Sequence, residues 1–591
     1  MKRNLRNFCQ PVAKRTRSNN PKLNKGLVLN KKKVSIPWIA ATKTRNYFFE
    51  DTLVDWLKLY GGRNRSASNN FKNNQTFNSF IIKKGIDFEK HIIKLINEKI
   101  PVNHVSDIYN IENVHKTIEL MKKGVPVIHS APLCNKYNKT YGIADLLVRS
   151  DYINKIINMD LEIDENSHAH KITDENYYYI VIDIKFCTLY LKNDGIHLRN
   201  SKKFRAYKSQ LWIYNEALGH IQGYTPKQAY ILGRRWQYVK KGIKYSNDSC
   251  FDKLGVIDYK NNDNFIVSLT KFALNWVRSN IKNGIKWNIY PPSNNDLYPN
   301  MCTDSYSYNS KKQNLAKNLG EITMLWNCSP KHRENALNND VDSWKDSECN
   351  SSILGINGKK AEIIDKMIQI NKQDSLVKPD NISNNDFDWK TPKLNELYVD
   401  FETFNDICKP FDSLPEQENF NIIYLIGAGW IENGIWKYKK FICERPTIED
   451  ECNIMKDFIQ WVDMKGNPPM FCWHAEETIW KRSLNNHKNQ NLKLYDWIDM
   501  CKIFKKEPIV IKNCFGFGLK AIAKALQDHK LINVKLEADC CNGMTAMIRA
   551  WNCYQKYENP VEAPLMQDVI KYNEYDVKIL QKIIEYLRLN H

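Results

Sequence analysis

Residues 177–185 read Tyr-Tyr-Tyr-Ile-Val-Ile-Asp-Ile-Lys, an almost unbroken apolar run ending in Asp183 and Lys185. Such a run predicts a buried β-strand carrying two charges at its tip. Side chains two apart on a strand share a face, so the carboxylate and the ammonium stand side by side. Burying that pair without compensation is costly. A divalent metal with a phosphate beside it would offset the cost, and a structural salt bridge at a strand end is the plainer alternative.

Three neighbouring segments bear on the choice. Residues 141–148, Tyr-Gly-Ile-Ala-Asp-Leu-Leu-Val, predict a turn feeding a short apolar strand with Asp145 near its start. The polar stretch 150–176 makes this strand and 177–185 a hairpin-like pair with a long excursion, which can bring Asp145 beside Asp183. Residues 206–214 have helical periodicity, with Gln210 and Tyr214 one turn apart on one face. Upstream, Gly85-Ile86-Asp87-Phe88-Glu89 opens an expected helix over 87–100, placing Glu89 near its start.

Taken in order, G-x-x-x-E, G-x-x-D, D-x-K and Q-x-x-x-Y resemble the PD-(D/E)xK nucleases of the RecB-like family over residues 37–235. Ala144 stands where that family has proline. The resemblance implies that Glu89, Asp145 and Asp183 hold a divalent metal and that Lys185 orients or activates the attacking water. It gives Gln210 and Tyr214 a supporting role. Oxygen ligands suit Mg²⁺ or Mn²⁺, which polarise a phosphate and sharpen a bound water. Some relatives add an iron–sulfur cluster, but Cys250, Cys302 and Cys328 are isolated from one another, so no cluster is expected.

The chain has 591 residues, too many for one core, and 87 Lys and Arg against 66 Asp and Glu, a formal charge of +21. A polyanionic partner explains that imbalance most simply. The 16 cysteines, with no signal peptide, read as reduced and intracellular. Cys540, Cys541 and Cys553 lack zinc-ligand spacing, and no apolar run approaches the ~20 residues of a membrane span. Residues 1–35 form a basic tail, expected to be disordered, that suits nuclear import, a nucleic-acid arm, or nothing beyond solvation. Residues 36–295 are assigned to the first nuclease module, within which the strand 229–235 ends in Arg234 and Arg235, well placed to meet phosphate. Residues 296–394, rich in Ser, Asn, Asp and Lys, are expected to be a polar linker with one amphipathic helix at 359–373.

Residues 395–591 open on Leu397-Tyr398-Val399-Asp400-Phe401-Glu402-Thr403, where two carboxylates again share a strand face. Their repulsion is usually relieved by a cation. A hairpin turns at Glu432-Asn433-Gly434, a helix is capped by Thr447, and a further strand at 470–473 runs into His474-Ala475-Glu476-Glu477. Lys520, at the start of a short helix, is a phosphate-contact candidate. The last helix contains Tyr572 and Asp576 one turn apart. This order resembles the RNase H-like DEDDy exonucleases. The resemblance implies Asp400, Glu402 and Asp576 as metal ligands and Tyr572 as the residue orienting water. Glu476 or Glu477 stands where those enzymes have aspartate, and Glu476 fits better.

The expected fold is therefore α/β in two modules: a restriction-endonuclease-like mixed sheet flanked by helices, then an RNase H-like mixed sheet flanked by helices. The expected function is Mg²⁺- or Mn²⁺-dependent cleavage of phosphodiester bonds, DNA favoured over RNA, in repair, recombination or replication. The alternative is a non-catalytic nucleic-acid-binding scaffold that retains nuclease folds. No G-x-x-x-x-G-K-[ST] segment occurs, so any helicase partner would be a separate chain.

Overall fold

The computed structural model describes residues 36–62, 77–164, 166–383, 387–417, 420–540 and 542–591. The basic tail at 1–35 and Cys541 lie outside the described residues. Everything from Trp38 to His591 forms one compact unit. Among the described residues, no helix is long and apolar enough to cross a membrane.

The first sheet has eight strands: β1 (Ile39–Ala40), β2 (Val102–His104), β3 (Val127–Asn135), β4 (Thr140–Arg149), β5 (Tyr179–Tyr190), β6 (Gln228–Lys240), β7 (Ile243–Asn247) and β8 (Gly255–Asp258). The order is β2-β3-β4-β5-β6-β7, with β1 added beside β4 and β8 beside β6. β4 and β5 run antiparallel and β5 and β6 parallel, so the sheet is mixed. The period-2 alternation of β5 sends Tyr179 and Val181 into one buried layer and Ile180 and Ile182 into the other. Helices α1 (Phe77–Asn97) and α2 (Lys202–Gln222) cover opposite faces.

Helix α1 starts ten residues earlier than its periodicity suggested, so Gly85 and Glu89 sit in its interior and not at its start. The extra turns are anchored from elsewhere: Phe77 and Phe80 pack against the core of the C-terminal module. Ahead of α1, two short helices, Arg45–Phe48 and Leu53–Tyr60, are separated by a break with Glu50 at φ 55°.

The second sheet contains β10 (Leu397–Phe404), β11 (Ile422–Glu432), β12 (Ile435–Ile442), β13 (Met470–Cys472) and β14 (Trp497–Asp499), in the order β12-β11-β10-β13-β14. The first three are antiparallel and the last two join in parallel. A separate two-stranded ladder pairs β9 (Val377–Lys378) with β15 (Val510–Ile511). Helices α3 (Ile448–Met464), α4 (Glu476–Asn486), α5 (Leu519–Asp528) and α6 (Pro564–Asn590) flank this half.

The polar linker expected at 296–394 is corrected by the packing. Ile322, Leu325, Val341, Trp344 and Trp389 are buried with Tyr398, Phe471, Phe504 and Ile583 in one cluster. Ile363, Ile364, Met367 and Ile368 join them from a helix at Lys359–Lys372. Its apolar residues are few but fall at helical spacing on one face, which average composition does not register. The earlier part of the stretch belongs to the first module: Lys312 Nζ lies 2.8 Å from Asp51 Oδ2, both buried, and Asn300 Nδ2 donates to Phe49 O at 3.1 Å.

The two modules also meet directly. The segment after β10 inserts Phe411 and Leu414 into the layer formed by Phe88, Ile92 and Ile184. Lys84 Nζ donates to Cys408 O and Lys409 O at 2.9 and 2.6 Å, and Cys250 N to Pro415 O at 2.9 Å.

Candidate metal centres

The register Leu146↔Ile182 sets the first centre, because it carries Asp145 opposite Asp183. Asp145 Oδ2 accepts from Ile184 N at 2.8 Å. Lys185 Nζ lies 2.6 Å from Asp183 Oδ2 and 3.4 Å from Asp145 Oδ2. Asp183 is fully buried; burial, with Asp145 beside it, pushes its carboxyl up to about 8. Burial pulls the other way on Lys185, but the two carboxylates outweigh it and hold the ammonium well above its ordinary value. Asp183 Oδ1 is buried with no hydrogen-bond partner among the described residues.

Helix α2 supplies Tyr214, whose hydroxyl accepts from Gln210 Nε2 at 2.9 Å. Burial and the nearby Asp183 and Asp145 carboxylates push that hydroxyl up. The tyrosine ring lies where a side chain on residue 142 would be: a Cβ on Gly142 would sit 2.3 Å from Tyr214 Cε1. Gly142→Ala is therefore expected to destabilise the chain by about 1–3 kcal/mol, the usual cost of overpacking a filled site. Denaturant unfolding measures it, and an unchanged midpoint would contradict the close approach.

Glu89 is not drawn into this group. Its Oε1 lies 3.1 Å from His129 Nε2, and His129 Nδ1 in turn lies 3.0 Å from His104 Nδ1.

The second centre is more complete. Asp400 and Glu402 on β10 and Asp576 on α6 each bring a carboxylate oxygen within 4.8 Å of the others. Burial and mutual repulsion hold Asp400 and Glu402 well above the ordinary carboxylate range. Burial also raises Asp576, and Lys520 partly offsets it. Asp576 Oδ1 is buried without a hydrogen-bond partner among the described residues. An all-oxygen donor set with an orphaned buried oxygen fits a hard divalent cation.

Three residues here escaped the sequence reading. Asn573 Nδ2 donates to Asp400 Oδ2 at 2.7 Å, and its Oδ1 accepts from Tyr438 OH at 2.8 Å. Gly427, opposite Asp400 on β11, leaves the space that Asn573 fills, since a Cβ there would lie 1.7 Å from Asn573 Oδ1. The glycines flanking Ala428 in an otherwise apolar strand were the available signal.

The two adjacent glutamates differ in placement. Glu476 is buried at the first turn of α4, and its Oε2 accepts from Trp473 N and Ala475 N, both at 3.2 Å. Burial, with Asp499 adding, pushes it up to about 7. Glu477 faces outward, pairing with Lys481 at 2.6 Å and Lys502 at 2.5 Å. The backbone N–H of His474 donates to Asp499 Oδ1 at 3.0 Å while its ring is exposed.

The phosphate-contact candidates are corrected in part. Arg234 pairs with Asp406 at 2.9 Å, and Arg235 with Asp406 at 2.6 Å and Asp248 at 3.3 Å. Both guanidinium groups are largely buried where the modules meet, neutralised by protein carboxylates. Lys520 lies inside the second centre instead: its Nζ is 3.2 Å from Asp576 Oδ2, hydrogen-bonds Tyr572 OH and sits 3.7 Å from the Tyr572 ring centroid.

No curated protein matches the chain. The family model of the RNase H superfamily matches residues 411–588, which include Glu476, Lys520, Tyr572 and Asp576 and begin just after the strand of Asp400 and Glu402. Members of that superfamily are in general nucleases that act on phosphodiester bonds. Together with the five-stranded mixed sheet, the match makes the C-terminal part of this chain an RNase H-like domain.

Proposed function

We propose that this chain is a metal-dependent nuclease with two centres, a PD-(D/E)xK site of the RecB-like kind and a DEDDy-type 3′–5′ exonuclease site. The observation that carries the reading is the gathering of Asp400, Glu402 and Asp576, with the orphaned Asp576 Oδ1 among them. Those three would hold Mg²⁺ or Mn²⁺ in the second centre, with Glu476 as the fourth acid. Asp145 and Asp183 would do so in the first, joined by Glu89 if its carboxylate turns from His129. A bound cation supplies charge neutralisation at the phosphate and a more acidic water. Tyr572, one helical turn from Asp576, would orient the attacking water. Lys185 Nζ, anchored by two carboxylates, would orient water or phosphate in the first centre. DNA is favoured as substrate, and the intended setting is repair, recombination or replication with any helicase on a separate chain.

The experiment is incubation of purified protein with end-labelled single- and double-stranded DNA and RNA in Mg²⁺, Mn²⁺ or EDTA. Metal-dependent shortening from the 3′ end supports the second centre, and inertness with every substrate and metal refutes the reading. A binding-only domain is favoured by one observation: Lys520 already sets a cation against Asp576 and Tyr572. Manganese titration separates the two.

The pH dependence follows from the raised carboxyls. Folded Glu476 keeps its proton where the unfolded chain releases it, so its contribution is fully present below pH 4.5 and is lost as pH rises toward about 7. Metal-free protein is expected to lose thermal stability across that window, and Glu476→Gln to lose less. Manganese at 100 times its dissociation constant adds about 2.7 kcal/mol, more at pH 7.5 than at pH 5 because protons compete for the ligands. Thermal melts at the two pH values check this; no shift with manganese at either would rule out the centre.

A further inference from the structure

The sheet of the first module extends beyond its core as a two-stranded ribbon formed by the end of β6 and all of β7. Every residue of β7 is exposed. The pairing Tyr238↔Tyr245 and Lys240↔Ile243 puts Trp236, Tyr238, Lys240, Ile243 and Tyr245 on one face. Three of these rings form a continuous stack: Trp236 and Tyr238 at 5.9 Å and 22°, then Tyr238 and Tyr245 at 4.9 Å and 10°. Lys253 Nζ lies 5.3 Å from the Trp236 ring. The turn at Gly195 closes the Tyr238 ring, where a Cβ would approach within 2.9 Å, whereas Tyr245 is 39 % exposed.

Residues 236–247 include Lys240, Lys241 and Lys244 and no acid. The nearest acids in sequence have partners of their own: Asp248 is paired with Arg235 and Asp252 with Asn247. An exposed ring at the end of a stack, bordered by lysines, is the combination that takes an unpaired base and its phosphates. A purely apolar partner would leave the lysines desolvated. A duplex offers no base face to the ring.

We infer that the ribbon at 236–247 is a binding platform for single-stranded nucleic acid, with a base stacked on Tyr245 and the backbone held by Lys240 and Lys241. This deepens the proposed function and rests on it for the direction of the strand. β6 passes Lys185 at Gly233 and reaches Tyr238 five residues later, roughly 17 Å along the strand. Trp236 and Tyr238 pack against the layer that contains Val181 and Tyr214, which is the side of the sheet that Asp183 faces. The platform thus flanks the first centre on its own face.

The test is fluorescence anisotropy of the full chain with labelled dT20 and with a 20-base-pair duplex, in EDTA so that nothing is cut. Tyr245→Ala should weaken dT20 binding on the order of tenfold without changing its salt slope, and Tyr245→Trp should restore it. Lys240→Ala with Lys241→Ala should flatten the slope by about 0.7 for each phosphate no longer neutralised. Unchanged dT20 affinity in Tyr245→Ala, or an equal loss on the duplex, overturns the inference. Thermal melts of the variants exclude misfolding as the cause. The underlying reading fails separately: Asp183→Ala in an Asp400→Ala background would leave cleavage intact while Tyr245→Ala still weakens binding.

Discussion

Asp183→Ala is expected to abolish cleavage at the first centre, by on the order of a thousandfold or more. Removing a ligand forfeits several kcal/mol of charge stabilisation in the transition state, and each 1.36 kcal/mol is about tenfold in rate. Asp183 is the most buried group of its centre, and its Oδ1 has no hydrogen-bond partner among the described residues that a cation would have to displace. Lys185→Ala should leave metal binding largely intact and slow cleavage by about a hundredfold, the lower range for a positioned proton-handling group. Since the second centre would mask the loss, both variants are measured in an Asp400→Ala background. Asp400→Ala by itself should suppress only trimming from the 3′ end. Unchanged cleavage by Asp183→Ala in that background would sink the first centre. Asp183→Asn, which keeps the side chain's shape, guards against a folding artefact.

Asp406→Ala is expected to loosen the joint between the modules by about 3–5 kcal/mol, because it removes the shared carboxylate of two largely buried guanidinium groups and strands the Arg234 guanidinium. Arg235 retains Asp248 at 3.3 Å, but Arg234 has no second carboxylate partner among the described residues. Limited proteolysis between residues 404 and 417 should speed up accordingly, and an unchanged rate would mean the pairs contribute nothing. The same joint bears on dissection of the chain. A polar linker at 296–394, as composition leads one to expect, would let residues 33–295 and 395–591 each fold unaided. The packing argues against both fragments. Residues 395–591 would lack Trp344, Ile364, Met367 and Trp389 from their own core, and residues 33–295 would lose Lys312 from buried Asp51. Neither is expected to give a cooperative thermal transition. A fragment 395–591 melting where the full chain does would show that residues 322–389 are dispensable.

Much of each centre could be read from local periodicity. Asp183 with Lys185 and Asp400 with Glu402 follow from the two-residue repeat of a strand, and Gln210 with Tyr214 and Tyr572 with Asp576 from the helical turn. Hairpin pairing was enough to set Asp145 opposite Asp183. These relations depend on the backbone within one or two elements, so residue types and spacing determine them.

Choice of partner across the fold is different. Arg234 and Arg235 look in sequence like free phosphate contacts, and only the approach of Asp406, some 170 positions later, turns them into a joint. Glu89 depends on which neighbour α1 meets: it meets His129 on β3, and α1 runs longer than its own periodicity because Phe77 and Phe80 find a surface on the other module. Asn573, Tyr438 and Gly427 come from three elements and meet only because the last helix crosses the sheet at Asp400. The stretch 296–394 reads as a linker because its apolar residues are sparse. What buries them is a ready-made surface on the second module, and burial depends on where apolar residues face, which composition does not encode.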